Sequence, residues 1–312
     1  MDDLSAPLDP GSDDGARRHL VGVAYRLLGS VAEAEDAVQD AYSRWYALPP
    51  TARADIVNPT AWLTTVVGRI CLDVLKSARL RRESYVGPWL PEPFAGDAVL
   101  AGGATRRDAT EDPLDRVSLD ESVSMAVLTV LEQLTPAQRV SFVLHDVFGY
   151  SFAELAHVTG RSAGACRELA SQARRRIRAG DRATVTRGDL ARSVAAFKVA
   201  WETGDVGLLV AQLTSVAVAT VDGGGQVSAA LRPVRGAEGV ARFFLGVLDR
   251  QPDLVVREAA VNDAPGLVAV DGRGTVLATV SFALDGARIG RLWVVRNPAK
   301  LTSWSATSRS QA

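Results

Sequence analysis

Cysteine is scarce in this chain: its 312 residues hold two, Cys71 and Cys166. Both are expected on apolar helix faces, and neither has a CxxC or Cys/His partner. A zinc site is therefore not expected, nor any other metal or cofactor. Two isolated thiols suit a reducing, cytoplasmic compartment. Histidine is nearly as rare, with His19, His145 and His157 alone, so residues 186–312 contain no imidazole. An acid/base pair in that part would need aspartate or glutamate with a raised pKa. No apolar run reaches membrane-spanning length. The N-terminus, MDDLSAPLDPGSDDG, is acidic and lacks the apolar core of a signal peptide. An excess of one charge is missing too, with 35 basic and 36 acidic side chains. What is present is 47% apolar residues, enough for real cores, in a length that suits two or three domains.

The even balance hides a division. Residues 1–120 carry a net charge of −6, residues 121–185 of +2 and residues 186–312 of +3. From Arg161 to Arg182 seven arginines face two acids, a net of +5. This cluster overlaps SFAELAHVTGRSAGACRELASQARRRIR (151–178), which reads as a helix-turn-helix. Ser151 and Glu154 form a capping box. Gly160 falls at the turn, where positive φ is needed. Ser162 caps the second helix, on which Cys166, Leu169, Ala170, Ala173 and Ile177 recur at three- and four-residue spacing as a buried stripe. Arg167, Glu168, Ser171, Gln172 and Arg175 take the other face. That pattern suits a helix laid in the major groove and flanked by phosphate contacts. An ordinary solvated amphipathic helix is the plain alternative. Gly164 is a poor helix former, costing about 1 kcal/mol relative to alanine; close backbone approach to DNA is one reason for it.

Along the rest of the chain, residues 1–14 read as disordered. Helices are expected over 15–29, from the Ser30–Glu33 capping box to about Tyr46, and from Asn58-Pro59 onward. Leu48-Pro-Pro50 is expected to break the chain between the last two. Residues 85–118, with proline and glycine, read as a linker. Helices resume over 121–133 and from Thr135-Pro136-Ala137-Gln138 to Gly149. From about residue 186 one helix (189–203) precedes β-branched runs at 216–221, 254–261, 267–270, 275–284 and 289–295, with a helix at Ala237–Leu248 among them. Helices followed by an antiparallel set of strands argue for an α+β domain.

From residue 15 to about 301 the chain resembles the extracytoplasmic-function RNA polymerase sigma factors that carry a fused SnoaL-like C-terminal domain. RHLVGVAYRLLGSVAEAEDAVQDAYSRWYAL and NPTAWLTTVVGRICLDVLKSARLRRESYVG are similar to region 2 of the family. LEQLTPAQRVSFVLHDVFGYSFAELAHVTGRSAGACRELASQARRRIR is similar to region 4. Trp89-Leu90-Pro91-Glu92-Pro93, Asp222-Gly223-Gly224-Gly225 and Asn297-Pro298-Ala299-Lys300-Leu301 resemble three shorter motifs of this subtype. Gln226 and Ala299 depart from the family's lysine and aspartate. The resemblance implies a multidomain fold: an all-α region 2 domain (15–84), a linker with WLPEP (85–120), an all-α region 4 helix-turn-helix domain (121–182) and an α+β SnoaL/nuclear-transport-factor-like cone-shaped domain (186–303).

The implied partners are core RNA polymerase and promoter DNA, with no membrane. Glu33, Glu35, Asp36, Gln39 and Asp40 fall where the family contacts the polymerase clamp, although a solvated acidic face is the plain reading. Ser162, Arg167, Ser171 and Gln172 are candidates for the minus-35 element, with Arg174, Arg175 and Arg178 on the DNA backbone; snorkelling over the core is the alternative for the arginines. Asn58, Arg69, Lys76, Arg79 and Arg82 are candidates for the minus-10 strand, where the family flips a base. Trp45 and Trp62 fall on inward stripes and read as core rather than as stacking platforms.

In the C-terminal domain, Trp201, Phe243, Phe244 and Trp293 are expected in the core or lining a cavity, which is a possible small-molecule site. Asp222 and Glu202 are the acid/base candidates, but adjoining glycines suggest turns, and no enzyme is expected. Instead Trp89, Pro91, Glu92, Pro93, Asp222, Gly223, Gly224, Gly225, Asn297, Pro298, Lys300 and Leu301 are expected to carry regulation between domains. A cut after Leu301 is expected to do much less than loss of residues 186–312. The alternative is a SnoaL-type binding or cyclase/isomerase domain tethered to a DNA-binding module. A simple operator-binding repressor is a further reading, which would not need the region 2-like helices.

Overall fold

A computed structural model describes residues 14–83, 85–95, 123–180 and 185–307, without the side chains of 78–83, 179–180 and 305–307. The segment expected to be disordered falls, up to residue 13, outside the described residues. The chain divides into two compact units. Of the described residues, one takes in 14–80 and Val130–Ile177; the other takes in 81–83, 85–95, 123–129 and those from Arg178 on.

The first unit is helical. Helices α1 (Asp14–Leu28) and α2 (Val31–Ala47) are joined by a tight turn at Gly29-Ser30. The Ser30 hydroxyl accepts the Glu33 N–H at 3.4 Å, starting α2 where the sequence places it. The Leu48-Pro-Pro50 break holds, but Pro50 at once opens a short α3 (Pro50–Ala54); proline suits a first helical turn because its missing N–H has no partner there. Helix α4 (Pro59–Glu83) begins where the Asn58 carboxamide accepts the Ala61 N–H at 3.0 Å. Leu20, Leu27 and Leu28 of α1, Val38 and Ala41 of α2, and Leu63 and Val67 of α4 are fully buried.

Helix α5 (Met125–Leu131) crosses the division between the units. It is shorter than expected, and residues 121–122 lie outside the described ones. Helix α6 (Pro136–Phe142) starts at the Thr135–Gln138 capping box and continues into a π-helical turn, Val143–Val147. Helices α7 (Phe152–Thr159) and α8 (Ala163–Gly180) complete the unit up to Ile177. Its two helical sets are joined through buried groups. The Arg139 guanidinium donates to the Leu27 carbonyl at 2.9 Å and to Glu132 at 2.6 Å. The rings of His19 and Phe148 meet edge to face at 5.2 Å.

The second unit holds α9 (Arg187–Glu202), α10 (Val206–Gln212), β1 (Leu213–Asp222), β2 (Val234–Arg235), α11 (Ala237–Arg250), β3 (Val255–Val261), β4 (Ala264–Val270), β5 (Val276–Asp285), β6 (Arg288–Val295) and α12 (Thr302–Thr307). The α+β expectation holds, but the strands are not all antiparallel. The sheet order is β2-β1-β6-β5-β4-β3, and β1 runs parallel to β6. Strands β3 to β6 form a meander, and its last strand returns beside β1 in the same direction. Alternation along a strand shows which face a residue takes, not which neighbour it pairs with.

Both faces of this sheet are buried, which the period of two makes plain. Leu267 and Ala269 of β4 and Leu292 and Val294 of β6 join Phe197, Trp201 and Phe244 in one core. Val268, Val270, Trp293 and Val295, the alternate residues, join Leu90, Met125, Leu301 and Trp304 in another. The second face thus takes its cover from chain before the domain and chain after its last strand. Residues 85–95, expected to be linker, belong to this unit. Ala95 forms a β-bridge with Val261, and Phe94 exchanges hydrogen bonds with Asn262. Proline and glycine in this stretch exclude helix but not docking. Residues 96–120 of the expected linker lie outside the described residues.

Candidate functional site

The helix-turn-helix forms from local chemistry. The Ser151 hydroxyl accepts the Glu154 N–H at 3.2 Å, and the Glu154 carboxylate accepts the Ser151 N–H at 2.8 Å. Gly160 closes α7 at φ +67°, in the left-handed region where a Cβ is disfavoured. The Ser162 hydroxyl then accepts the Ala165 N–H at 3.2 Å and starts α8. Cys166, Ala170, Ala173 and Ile177 are buried. Arg167, Arg175 and Arg178 are exposed, and Ser171 is half-buried. The Arg167 guanidinium lies 5.1 Å from the centre of the Phe152 ring. Arg175 meets Glu168 at 3.4 Å with both side chains in solvent, a pair too hydrated to hold it.

Two candidates on α8 are placed otherwise than expected. Arg174 turns inward: its side chain is 22% exposed and its guanidinium lies 2.5 Å from the Asp146 carboxylate, which is 3% exposed. It ties α8 to the π-helical turn rather than presenting a cation to DNA. The Gln172 amide donates to Glu168 at 2.9 Å on the exposed side of the helix and accepts from Gln138 at 2.8 Å, so both its hydrogen-bonding groups have partners within the chain.

On α4, Lys76 pairs with Asp73 in solvent at 2.8 Å. Arg69 departs from expectation: its guanidinium donates to the His157 carbonyl at 2.8 and 3.2 Å, near the C-terminal end of α7. A cation suits that end of a helix, where carbonyls lack partners. The side chains of Arg79 and Arg82 lie outside the described ones. Trp45 is buried and Trp62 half-buried, with ring centres 5.4 Å apart, so the pair packs into the core. Val57, in the loop before α4 that the sequence offers for the minus-10 element (Leu48–Asn58), is 99% exposed. On α2, Glu35, Asp36 and Gln39 are exposed, Glu33 is half-buried, and Asp40 pairs with Arg44 at 2.8 Å.

In the second unit the three short motifs converge on one carboxylate. Asp222, at the end of β1, is 0% exposed. It accepts the Tyr85 hydroxyl at 2.6 Å, the Gly224 N–H at 3.0 Å, the Leu90 N–H at 2.9 Å and the Lys300 ammonium at 2.7 Å. The same ammonium donates to the Leu90 carbonyl at 2.6 Å and lies 4.2 Å from the centre of the Trp89 ring. Asn297 donates to the Tyr85 hydroxyl at 2.9 Å. Burial, with Asp222 adding to it, raises the Tyr85 hydroxyl above its ordinary pKa. Gly224 has φ +60°, and a Cβ there would collide with the Asn297 amide. Pro91, Glu92 and Pro93 are buried, and Pro93 accepts the Trp304 indole N–H at 3.0 Å. Gly223 and Leu301 are buried as well, while Gly225, Gln226, Pro298 and Ala299 are exposed. Tyr85 and Asn262 were missed by sequence reasoning because their partners lie more than 100 residues away.

A separate small apolar pocket of about 20 Å³ is lined by Trp201, Phe243, Phe244 and Val280, with Gln251 and Arg296 as polar members. Asp222 and Glu202 do not line it; Glu202 pairs with Lys198 at 2.8 Å instead. Trp293 lies on the other face of the sheet.

The comparisons agree with this architecture. The Sigma-70 region 2 family matches residues 15–81, and the Sigma-70, region 4 family matches residues 124–177. The ECF RNA polymerase sigma factor SigJ of Mycobacterium tuberculosis is 42% identical over 301 residues, 93% of this chain and 92% of that protein. A probable ECF RNA polymerase sigma factor, SigI, of the same organism is 42% identical over 163 residues, 52% of this chain and 51% of that protein. The crystal structure of the extracytoplasmic function sigma factor SigJ of Mycobacterium tuberculosis superposes with a TM-score of 0.71 at 36% identity, covering 95% of this chain and 99% of that one. With helix-turn-helix, region 2 helices and C-terminal α+β domain all in register with such a relative, this chain belongs to the extracytoplasmic-function RNA polymerase sigma factors.

Proposed function

We propose that this chain acts in the cytoplasm as a promoter-specificity subunit whose C-terminal domain modulates it in cis. In this reading, α8 enters the major groove of the minus-35 element with Ser162, Arg167 and Ser171 toward base edges and Arg175 and Arg178 toward phosphates. Asn58, Lys76, Arg79 and Arg82 hold the minus-10 strand. Arg69 joins them once α4 and α7 part, since its donors are engaged on α7 here. Glu33, Glu35, Asp36, Gln39 and Asp40 meet the clamp of core polymerase, where a negative helix face speeds encounter with a basic one.

The observation that carries the regulatory part is the convergence on Asp222. The carboxylate binds residues 85–90, which lie in sequence between α4 and α5. The α+β domain therefore grips the segment that links the two promoter-reading parts, and it can restrict how far they separate.

Transcription in vitro with core polymerase and a promoter library tests this. The full chain is expected to select a promoter set. A chain ending at residue 185 is expected to keep that set with altered output. Equal output at matched concentrations would remove the regulatory role, and no promoter-dependent transcript from either would remove the sigma role.

A further inference from the structure

Arg174 and Gln172 on α8 have their polar groups engaged by Asp146, Gln138 and Glu168. Arg167 is held in another way. It stands in the second turn of α8, and helical side chains lean toward the N-terminal end of their helix, here the end that Ser162 caps. Its guanidinium lies 5.1 Å from the centre of the Phe152 ring, inside the reach of about 6 Å of a cation–π contact. Phe152 is the first residue of α7, so the contact joins the two helices of the helix-turn-helix. A ring attracts the charge without being a hydrogen-bond acceptor in the plane of the N–H groups, so the donors stay available. The ring is itself fixed. Phe152 is buried, and the His145 imidazole stacks on it with centres 3.9 Å apart and planes 29° from parallel. A carbonyl can only accept, so His145 Nδ1 donates to the Tyr150 carbonyl at 2.7 Å and the imidazole is anchored in turn.

We propose that Phe152 is a positioning residue for promoter recognition: its ring holds the Arg167 guanidinium near the start of α8, with the N–H donors free for a base edge of the minus-35 element. This rests on the proposed base-reading role of Arg167. An arginine reads a base with two N–H donors at once, so its direction decides the discrimination. A long exposed side chain loses rotamer freedom when it binds, and ordering it beforehand removes that cost. Phe152 acts through Arg167 and makes no base contact of its own. Any aromatic ring at position 152 that fits serves this purpose. Leucine does not, because it fills the space without a π face.

The test uses the full chain bound to core polymerase and the promoter duplex it selects from the library, with each minus-35 base pair replaced in turn. Arg167→Ala first identifies the base pair whose preference it erases. Phe152→Leu is expected to lower the preference at that same base pair by about two- to fivefold, the worth of an exposed cation–π contact. Phe152→Tyr is expected to restore it. In the Arg167→Ala background Phe152→Leu is expected to change the preference no further, because the two residues act as a unit. A merely structural ring would instead lower affinity for every duplex alike and leave the preferences unchanged; that result overturns the proposal while the base-reading role stands. If Arg167→Ala leaves every preference unchanged, the base-reading role falls and the positioning role with it. Should Phe152→Leu fail to fold, the natural chain with carbon-13-labelled arginine decides, with Arg167→Lys assigning the signal. The Arg167 δ-methylene resonance is expected to be shifted upfield by the ring, and a shift equal to that of an unstructured arginine overturns the proposal.

Discussion

The ammonium of Lys300 lies 2.7 Å from the carboxylate of Asp222, and the pair joins the end of β1 to the turn after β6. Asp222 is wholly buried and Lys300 nearly so. Removing one partner of such a pair strands the other charge and costs about 3–5 kcal/mol, whereas removing both costs much less. Lys300→Met and Asp222→Asn should each destabilise the second unit by an amount of that order. The double variant should lose clearly less than the sum, by the logic of a double-mutant cycle. Chemical denaturation of the four proteins checks this; strict additivity would mean that the two groups do not act as a pair.

Much of the first unit was legible because its signals are local. Ser151 and Glu154 are three residues apart, and Gly160 announces its own backbone. The placement of Arg174 was not legible, because Asp146 lies 28 residues earlier and reaches it only when α8 packs. The same holds for Arg69 and His157. Helix α10 was missed although Asp205 caps it, its carboxylate accepting the Leu208 N–H at 3.0 Å; one Asx cap before seven residues is a weak signal. The three short motifs were expected to act together, but their meeting on Asp222 depended on strand pairing that alternation alone does not encode.

Arg167 and Arg174 separate base reading from structural support. Arg167→Ala should weaken binding to the cognate minus-35 sequence by about 1–3 kcal/mol, the value of a bidentate base contact, with stability nearly unchanged. Arg174→Ala should do the reverse and lower stability, because Asp146 is left buried without its cation. Affinities across a base-substituted minus-35 series, set beside unfolding curves, check both. Unchanged discrimination in Arg167→Ala would remove it from the base-reading set.

Gly164 stands on α8, where a Cβ would meet nothing within 4 Å. Packing therefore does not require glycine there. Gly164→Ala should stabilise the helix by up to about 1 kcal/mol and, if the backbone approaches DNA at this point as its place near the helix start suggests, weaken promoter binding. Raised stability with undiminished affinity would leave the glycine without a DNA role.

His19 ties the first unit to pH. Burial, helped by the positive charge of Arg26, lowers its pKa to about 4. The unfolded chain, with a histidine pKa near 6.5, binds the proton more readily than the folded one between these values. Stability from the neutral ring is therefore full above about pH 6.5 and is lost as pH falls toward 4. Its upper bound lies between about 3 and 4 kcal/mol, at about 1.4 kcal/mol for each pKa unit. His19→Phe, which keeps an aromatic edge for Phe148, should flatten the stability profile of the first unit over that interval. Parallel profiles for the two proteins would show that another group sets the acid limb.

The tail beyond Leu301 is expected from the sequence to matter less than residues 186–301, yet it carries a buried tryptophan. Trp304 is buried against the face of the sheet that holds Trp293, Leu90 and Leu301, and its indole N–H donates to the Pro93 carbonyl. It is the outer clasp on WLPEP, while Asp222 and Lys300 hold the inner end. Loss of a buried tryptophan costs about 3–5 kcal/mol. Most of that cost should fall on residues 85–95, whose Pro93 carbonyl the Trp304 indole holds. A chain ending at Leu301 should therefore show faster hydrogen exchange at Leu90 and Phe94 and earlier proteolysis before α5. Its transcription should shift in the same direction as that of the chain lacking residues 186–312. Trp304→Phe, which keeps the ring and loses the N–H, should fall between the two. Equal protection of Leu90 and Phe94 in the cut and full-length proteins would mean that the Asp222 cluster alone holds the segment.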